Sequence, residues 1–177
     1  MRWILALLTV LVGCASIPPY ERPEFGGFID SDGDCQDTRA EMLIRDTVTP
    51  PYFKNATECV VESGLWFDLA TGKWFRLASE VDADHGVSLG DAWRSGAWGW
   101  TREERTEFAN DLSNLLPMED GEKIRKSDKG PDEWMPPNEH FTCRYITRYV
   151  QTKEKYGLSM TKGQLAKINE VAEACKP

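Results

Sequence analysis

The chain has 177 residues, 41% of them hydrophobic, and a formal net charge of −8. That length suits one domain with a real core. The acidic balance is the wrong sign for a generic nucleic-acid binder, because phosphate contacts need Lys and Arg; any DNA site must be a local basic pocket on an acidic body, with modest, salt-sensitive affinity.

The N-terminus opens with a short positive region at Arg2 and an almost wholly apolar run from Trp3 to Val12. The run is too short to span a membrane and fits an export signal over residues 1–13. Leu11-Val-Gly-Cys14 resembles a bacterial lipobox, in which Cys14 is diacylated and becomes the mature N-terminus. The alternative is an ordinary cleaved signal ending near Ala15. No Asp follows the Cys, which by analogy with Gram-negative lipoproteins favours the outer membrane. The expected location is therefore exported and membrane-anchored, with the membrane as a partner through the lipid on Cys14. Residues 14–23, proline-rich after the Cys, read as lipid attachment and tether, and 24–177 as the folded domain. Setting Cys14 aside, Cys35, Cys59, Cys143 and Cys175 form an even set after an export signal and read as two disulfides, with three connectivities open.

Asp30, Asp32, Asp34 and Glu41 fall on acidic positions of a calcium-loop pattern, but Cys35 stands where that pattern needs Gly. The plainer reading is a polar turn, capped by Asp37 or Thr38, that feeds a helix from Arg39 to Asp46. Thr49-Pro-Pro51 stops it. Cys59 to Phe67 and Lys73 to Leu77 are aromatic and β-branched around Ala70-Thr-Gly72, a hairpin signal. Val81, Ala83 and His85 alternate with Asp82 and Asp84 and read as a strand. An ideal strand sends Asp84 and His85 to opposite faces, so both serve one site only if the backbone turns there, which Gly86 allows. Trp93 to Trp100 is a Gly- and Trp-rich connection. Thr101-x-x-Glu104 is a capping box for a helix from Arg102 to about Ser113, with Phe108 and Leu112 inward. Leu115 to Met118 is a short strand whose Pro117 suits an edge. Asp120-Gly121 makes a turn, and Glu122 to Lys126 begins a short helix. Asn138 caps a long helix that Gly157 ends, with Phe141, Tyr145 and Tyr149 as its stripe. Gln164 to Ala174 is the last helix, with Leu165, Ile168 and Val171 inward. Cys143 and Cys175 are placed to staple these two.

Between Val81 and Pro137 the chain sets out Asp84-His85 at a strand end, Asn114-Leu115 opening a second strand, then Lys126-Ser-Asp-Lys-Gly-Pro131 and Trp134-Met-Pro-Pro137. In that order these motifs resemble the HNH, or ββα-metal (His-Me finger), nucleases, and in particular their small exported branch. The resemblance runs from about Tyr20 to Cys175. It implies an α+β fold: a ββα-metal core with an N-terminal disulfide-linked arm and C-terminal helices. It implies the pairs Cys35–Cys59 and Cys143–Cys175, each closing a loop of a few dozen residues, and an arm with Arg39 or Glu41 facing the site. Phosphodiester hydrolysis needs an activated water and positive charge on the phosphate and leaving oxygen. By the resemblance, His85 is the general base, Asp84 a ligand of Mg²⁺ or another divalent metal, Asn114 the residue that orients His85 or its turn, and Lys126 a phosphate contact. The implied substrate is DNA, with little sequence choice. A lone histidine is more often structural; only His85 and His140 exist, and His85 alone carries the matching flanks.

Two positions depart from the family pattern. The usual Pro three residues after the His is Ser88, a loss of rigidity. The position of the metal-binding Asn holds Lys123, whose ammonium repels a metal ion and cannot ligate it. Three readings follow: the site is dead; Glu119, Asp120 or Glu122 replaces the ligand; or Lys123 itself supplies positive charge to the phosphate, which makes it a second phosphate-binding candidate. Two functions stay open. One is an envelope-anchored HNH-type endonuclease. The other is a catalytically inactive HNH-fold lipoprotein acting as a surface binding or exclusion module. In either case Asp84, His85 and Lys123 are expected to converge, with the Lys123 amine on Asp84.

Overall fold

The computed structural model describes residues 16–176; the expected export signal and Cys14 lie outside the described residues. Helix α1 (Thr38–Asp46) begins where the Asp37 side chain accepts the Ala40 N–H at 2.8 Å and buries Ala40, Met42 and Leu43. Strands β1 (Tyr52–Phe53), β2 (Val61–Asp68) and β3 (Lys73–Leu77) form an antiparallel sheet in that order. Its tight turn uses Gly72 at φ 71°. Trp66, fully buried, donates from Nε1 to the Leu43 carbonyl and fixes α1 against β2.

The site rests on a second, two-stranded sheet. Strand β4 (Val81–His85) is followed by helices α2 (Leu89–Arg94) and α3 (Arg102–Ala109), then strand β5 (Leu115–Glu119), helix α4 (Asp120–Lys126) and the long helices α5 (Glu139–Lys155) and α6 (Lys162–Ala174). β4 and β5 run antiparallel in unbroken register from Val81↔Glu119 to His85↔Leu115. With α4 they make the ββα unit, and the fold is α+β. Val81, Ala83 and Leu115 pack into one core with Met42, Leu43 and Trp66. A larger core gathers Phe25, Trp93, Phe108, Trp134 and Tyr149 beneath α5 and α6. Asp68, fully buried, ties the two sheets together: its carboxylate accepts from Ala70 N–H, Thr71 Oγ1 and the Glu119 N–H.

Cys35 pairs with Cys59 and Cys143 with Cys175, the Cα atoms 5.1 and 5.9 Å apart. Several elements differ from expectation for identifiable reasons. α3 stops at Ala109 rather than near Ser113, because Asn110 leaves the helix and turns its side chain to Ile29 N–H, Thr38 Oγ1 and the Gly27 carbonyl. A helix, α2, occupies Leu89–Arg94, where Ser88 caps it by accepting the Asp91 N–H at 3.2 Å; this residue that looked like a lost proline starts an element. α4 begins at Asp120, since Glu119 caps it and no separate turn intervenes. Leu165 is 43% exposed, so Ile168 and Val171 carry the α6 contact. The expected tether is not free along its length. Pro18 O accepts the Trp93 Nε1–H at 2.7 Å, Arg22–Phe25 forms a 3₁₀ turn, and Phe25 is buried in the larger core. Among the described residues no helix is long and apolar enough to cross a membrane.

Candidate active site

A cleft of about 710 Å³ opens over the end of β4, lined among others by Arg22, Asp82, Asp84, His85, Ser88 and Lys123. Asn114, 2% exposed, does not line the cleft but holds the turn that follows His85. Its carbonyl accepts the Gly86 N–H at 2.7 Å, its Oδ1 accepts the Val87 N–H at 2.9 Å, and its Nδ2 donates to the Val87 carbonyl at 3.1 Å. The strand end that carries His85 is thereby locked to the start of β5. Gly86 gives space here rather than a left-handed turn: a Cβ would lie 3.2 Å from Asn114 Oδ1, a tight contact.

His85 is 5% exposed and lies between Phe28 and Phe108, nearly parallel to both rings at 6.2 and 6.5 Å. Its Nε2 is 2.9 Å from the Ala109 carbonyl oxygen. A carbonyl only accepts, so Nε2 carries the proton and Nδ1 keeps the lone pair. The early end of α3 frees that carbonyl, because the last turn of a helix has no intrahelical donors for it. Burial pushes the His85 pKa down to about 3; the Ala109 bond works against this, and the nearby Lys126 charge reinforces it. The ring is neutral across the physiological range.

The charges arrange themselves as two parallel pairs. Lys126, 0% exposed, sits 2.9 Å from Asp84 and donates to the His85 carbonyl at 2.6 Å. Lys123 pairs with Asp82, which Arg39 also holds at 3.4 Å. Residues three apart on a helix are about 4.5 Å apart along its axis. Residues two apart on a strand are separated by about 6.6 Å. The two lysines of α4 thus meet the two aspartates of β4 in register. This corrects two expectations. The Lys123 amine is on Asp82, not on Asp84. Lys126 is not exposed to a phosphate, because its ammonium is enclosed and committed to Asp84 and the backbone. Burial raises the Asp84 carboxyl pKa despite the pull of Lys126. For Asp82 burial also acts upward, but Lys123, the Ala83 N–H and Arg39 outweigh it and hold the pKa below the usual carboxylate range.

This donor set does not fit the divalent ion that the resemblance implies. Mg²⁺ wants several oxygen ligands and Lys offers none. Both aspartates carry an ammonium, and Lys123 fills the Asn position. Of the three acidic substitutes, Glu119 caps α4, and Glu122 accepts from Trp134 Nε1 and Arg125. Asp120 alone lines the cleft. Arg39 lines it too, and Glu41 does not. Among the described residues the one group of three acidic side chains close enough to share an ion is Asp30, Asp32 and Asp34, exposed and elsewhere. There Asp30 already accepts the Gly33 and Cys35 N–H groups, which makes the stretch a polar turn.

Sequence reasoning missed Tyr20 and Arg22, which line the cleft from the segment read as tether. The available signal was compositional: an aromatic and an arginine are misplaced in a free spacer. It also missed that Asp82, beside the motif aspartate, takes the lysine.

The family described as GmrSD restriction endonucleases, C-terminal domain, matches residues 36–168. An uncharacterized secreted protein of Arthroderma benhamiae (strain ATCC MYA-4681 / CBS 112371) is 36% identical over 158 residues, covering 88% of this chain and 76% of its own length. No solved structure matches the chain.

Proposed function

The chain belongs to the GmrSD restriction endonuclease C-terminal domain family, an HNH-type nuclease family, and from that premise we propose that it is an endonuclease hydrolysing DNA phosphodiester bonds with little sequence choice. The observation that carries this reading is His85: a neutral imidazole with Nε2 committed to Ala109 and Nδ1 left as the basic atom in a cleft large enough for a phosphodiester. In the proposed reaction, Nδ1 takes a proton from a water whose oxygen bonds to phosphorus while one P–O ester bond breaks, and the leaving oxygen departs as an alcohol with a proton taken from solvent. Asn114 keeps the imidazole in place through the turn it locks. Lys123, 22% exposed at its side chain, is the cation nearest the motif that can turn from Asp82 toward an incoming phosphate. HNH nucleases generally use a divalent metal; a metal-independent site is the finer part of this proposal, and it rests on the Lys–Asp pairing of both aspartates.

A second reading is supported by that same pairing: an HNH-fold module that binds at a surface and no longer cuts. Nicking of supercoiled plasmid separates the two. Parent protein is assayed with Mg²⁺ and with EDTA, beside His85→Ala. Cleavage that His85→Ala abolishes supports the nuclease; no cleavage by the parent in either condition supports the binding module.

Export is part of the proposal, supported by the apolar N-terminus and by the secreted description of the Arthroderma benhamiae relative. Lipid anchoring through Cys14, at the outer membrane of a Gram-negative cell, is its finer form. Cys14→Ser is expected to abolish membrane fractionation and leave the domain folded. A variant that still fractionates with membranes as the parent does would remove the anchor from this account.

A further inference from the structure

The segment before the matched region does more than join the domain to its N-terminus. It is clamped twice. Upstream, the Trp93 indole donates to the Pro18 carbonyl at 2.7 Å. Downstream, Arg105 donates to the Glu24 carbonyl at 3.0 Å and to its carboxylate at 3.1 Å, and Phe25 is fully buried against Trp93 and Phe108. Between these clamps lie Tyr20 and Arg22, and both line the cleft that holds His85.

Arg22 is exposed and makes no ion pair or side-chain hydrogen bond among the described residues. The other cleft cations are engaged: Lys123 with Asp82, and Arg39 with Asp82 and the Ala78 and Val81 carbonyls. Arg22 also stands close enough for its charge to act on His85. Asp128, Arg22 and Arg94 stand close enough for their charges to act on Tyr20, and Asp120 and Asp128 also border the cleft. Arg94 is held in place by its bond to the Asp128 carbonyl. Burial raises the Tyr20 pKa to about 12, Asp128 adding to it, so the phenol stays a hydrogen-bond donor.

We propose that Arg22, with Tyr20 beside it, is the phosphate-binding wall of this cleft, gripping the non-bridging oxygens of a DNA backbone phosphate next to His85. The inference rests on the nuclease reading. A guanidinium offers a planar fork that matches two phosphate oxygens, and one held on a clamped backbone loses less freedom on binding than one on a mobile tail.

The test uses the full chain and a short fluorescein-labelled DNA duplex, read by fluorescence anisotropy across a salt series. Arg22→Gln is expected to weaken binding by roughly tenfold or more and to lower the steepness of the salt dependence by about one unit. Arg22→Lys should recover part of the affinity, and Tyr20→Phe should lose less than Arg22→Gln. Arg76→Gln, the same charge change at a residue of β3 outside this cleft, is the control. If the parent binds and nicks DNA while Arg22→Gln binds as well as the parent, or loses no more than Arg76→Gln, this inference is overturned and the nuclease reading stands. If the parent neither binds nor nicks DNA, both fall. Arg22 is solvent-exposed, so its replacement does not threaten the fold; unchanged thermal unfolding of Arg22→Gln confirms that the loss belongs to the site.

Discussion

His85 shows how one residue's surroundings set both its chemistry and a cost. Burial holds its pKa near 3, so the folded chain keeps the ring neutral where an unfolded chain, at an ordinary histidine value near 6.5, takes up a proton. Stability from this residue is therefore fully present above about pH 6.5 and is lost as acid is added toward the folded value. Asp84 acts with the opposite sign, since its raised folded pKa means that the folded state binds the extra proton. The expected outcome is a parent stability that falls between about pH 6.5 and 4.5, with a slope that His85→Gln flattens; parallel parent and variant curves in denaturant titrations would contradict it. Lys123 carries a second prediction. Lys123→Asn removes the ammonium beside Asp82 and puts an oxygen donor at the position that the resemblance gives to a metal-binding Asn. It should gain a Mg²⁺-dependent rise in melting temperature and Mg²⁺-dependent nicking, which His85→Ala then removes. Strong Mg²⁺-dependent cleavage by the parent, unchanged in Lys123→Asn, would show that another residue supplies the ligand.

At the scale of elements, α4 is held to β4 by charge as much as by apolar contact. Ile124, its large apolar residue, is 78% exposed, while Lys126 is enclosed. Removing one partner of an enclosed pair leaves the other charge unpaired, which costs about 3–5 kcal/mol. Lys126→Met is thus expected to destabilise the fold by about that much, and Lys126→Met with Asp84→Asn by distinctly less; equal losses in chemical denaturation would mean that the lysine acts through packing alone. The motif order made β4, β5 and α4 legible, and the capping residues Asp37, Thr101 and Asn138 located three helix starts. Sequence did not reveal where Lys126 points. A Lys-x-x-Lys pattern on a short helix reads equally as a solvated face, and only the register of α4 on β4 turns it inward. α2 was hidden for a related reason: its Gly- and Trp-containing sequence is a poor helix former, and it is stabilised by the Ser88 cap and by burial of Leu89, Ala92 and Trp93.

At the scale of the whole molecule, an even cysteine count after an apolar leader was sufficient to expect two staples, and the α+β fold was expected from the family resemblance. The N-terminal strap was not legible, because proline-rich composition describes a spacer and a docked strap alike; what distinguishes them is the tertiary partner, here Trp93 and Arg105. The net charge of −8 then limits how the molecule can meet DNA. An acidic molecule as a whole repels the duplex, so the proposed association with DNA depends on the cleft. Each phosphate neutralised by a Lys or Arg contributes about −0.9 to the slope of log affinity against log salt. With Arg22 and Lys123 as the two phosphate contacts proposed, and Arg39 of the same cleft held by Asp82 and two backbone carbonyls, the slope should be near −2, and affinity should fall roughly tenfold between about 50 and 200 mM salt. A basic groove engaging six or more phosphates would instead lose about a thousandfold or more over that range. Anisotropy titrations at several salt concentrations read this directly. A slope near −6 would mean that a wider surface than the cleft engages the backbone, and a slope near zero would mean that DNA binding does not run through phosphate contacts at all.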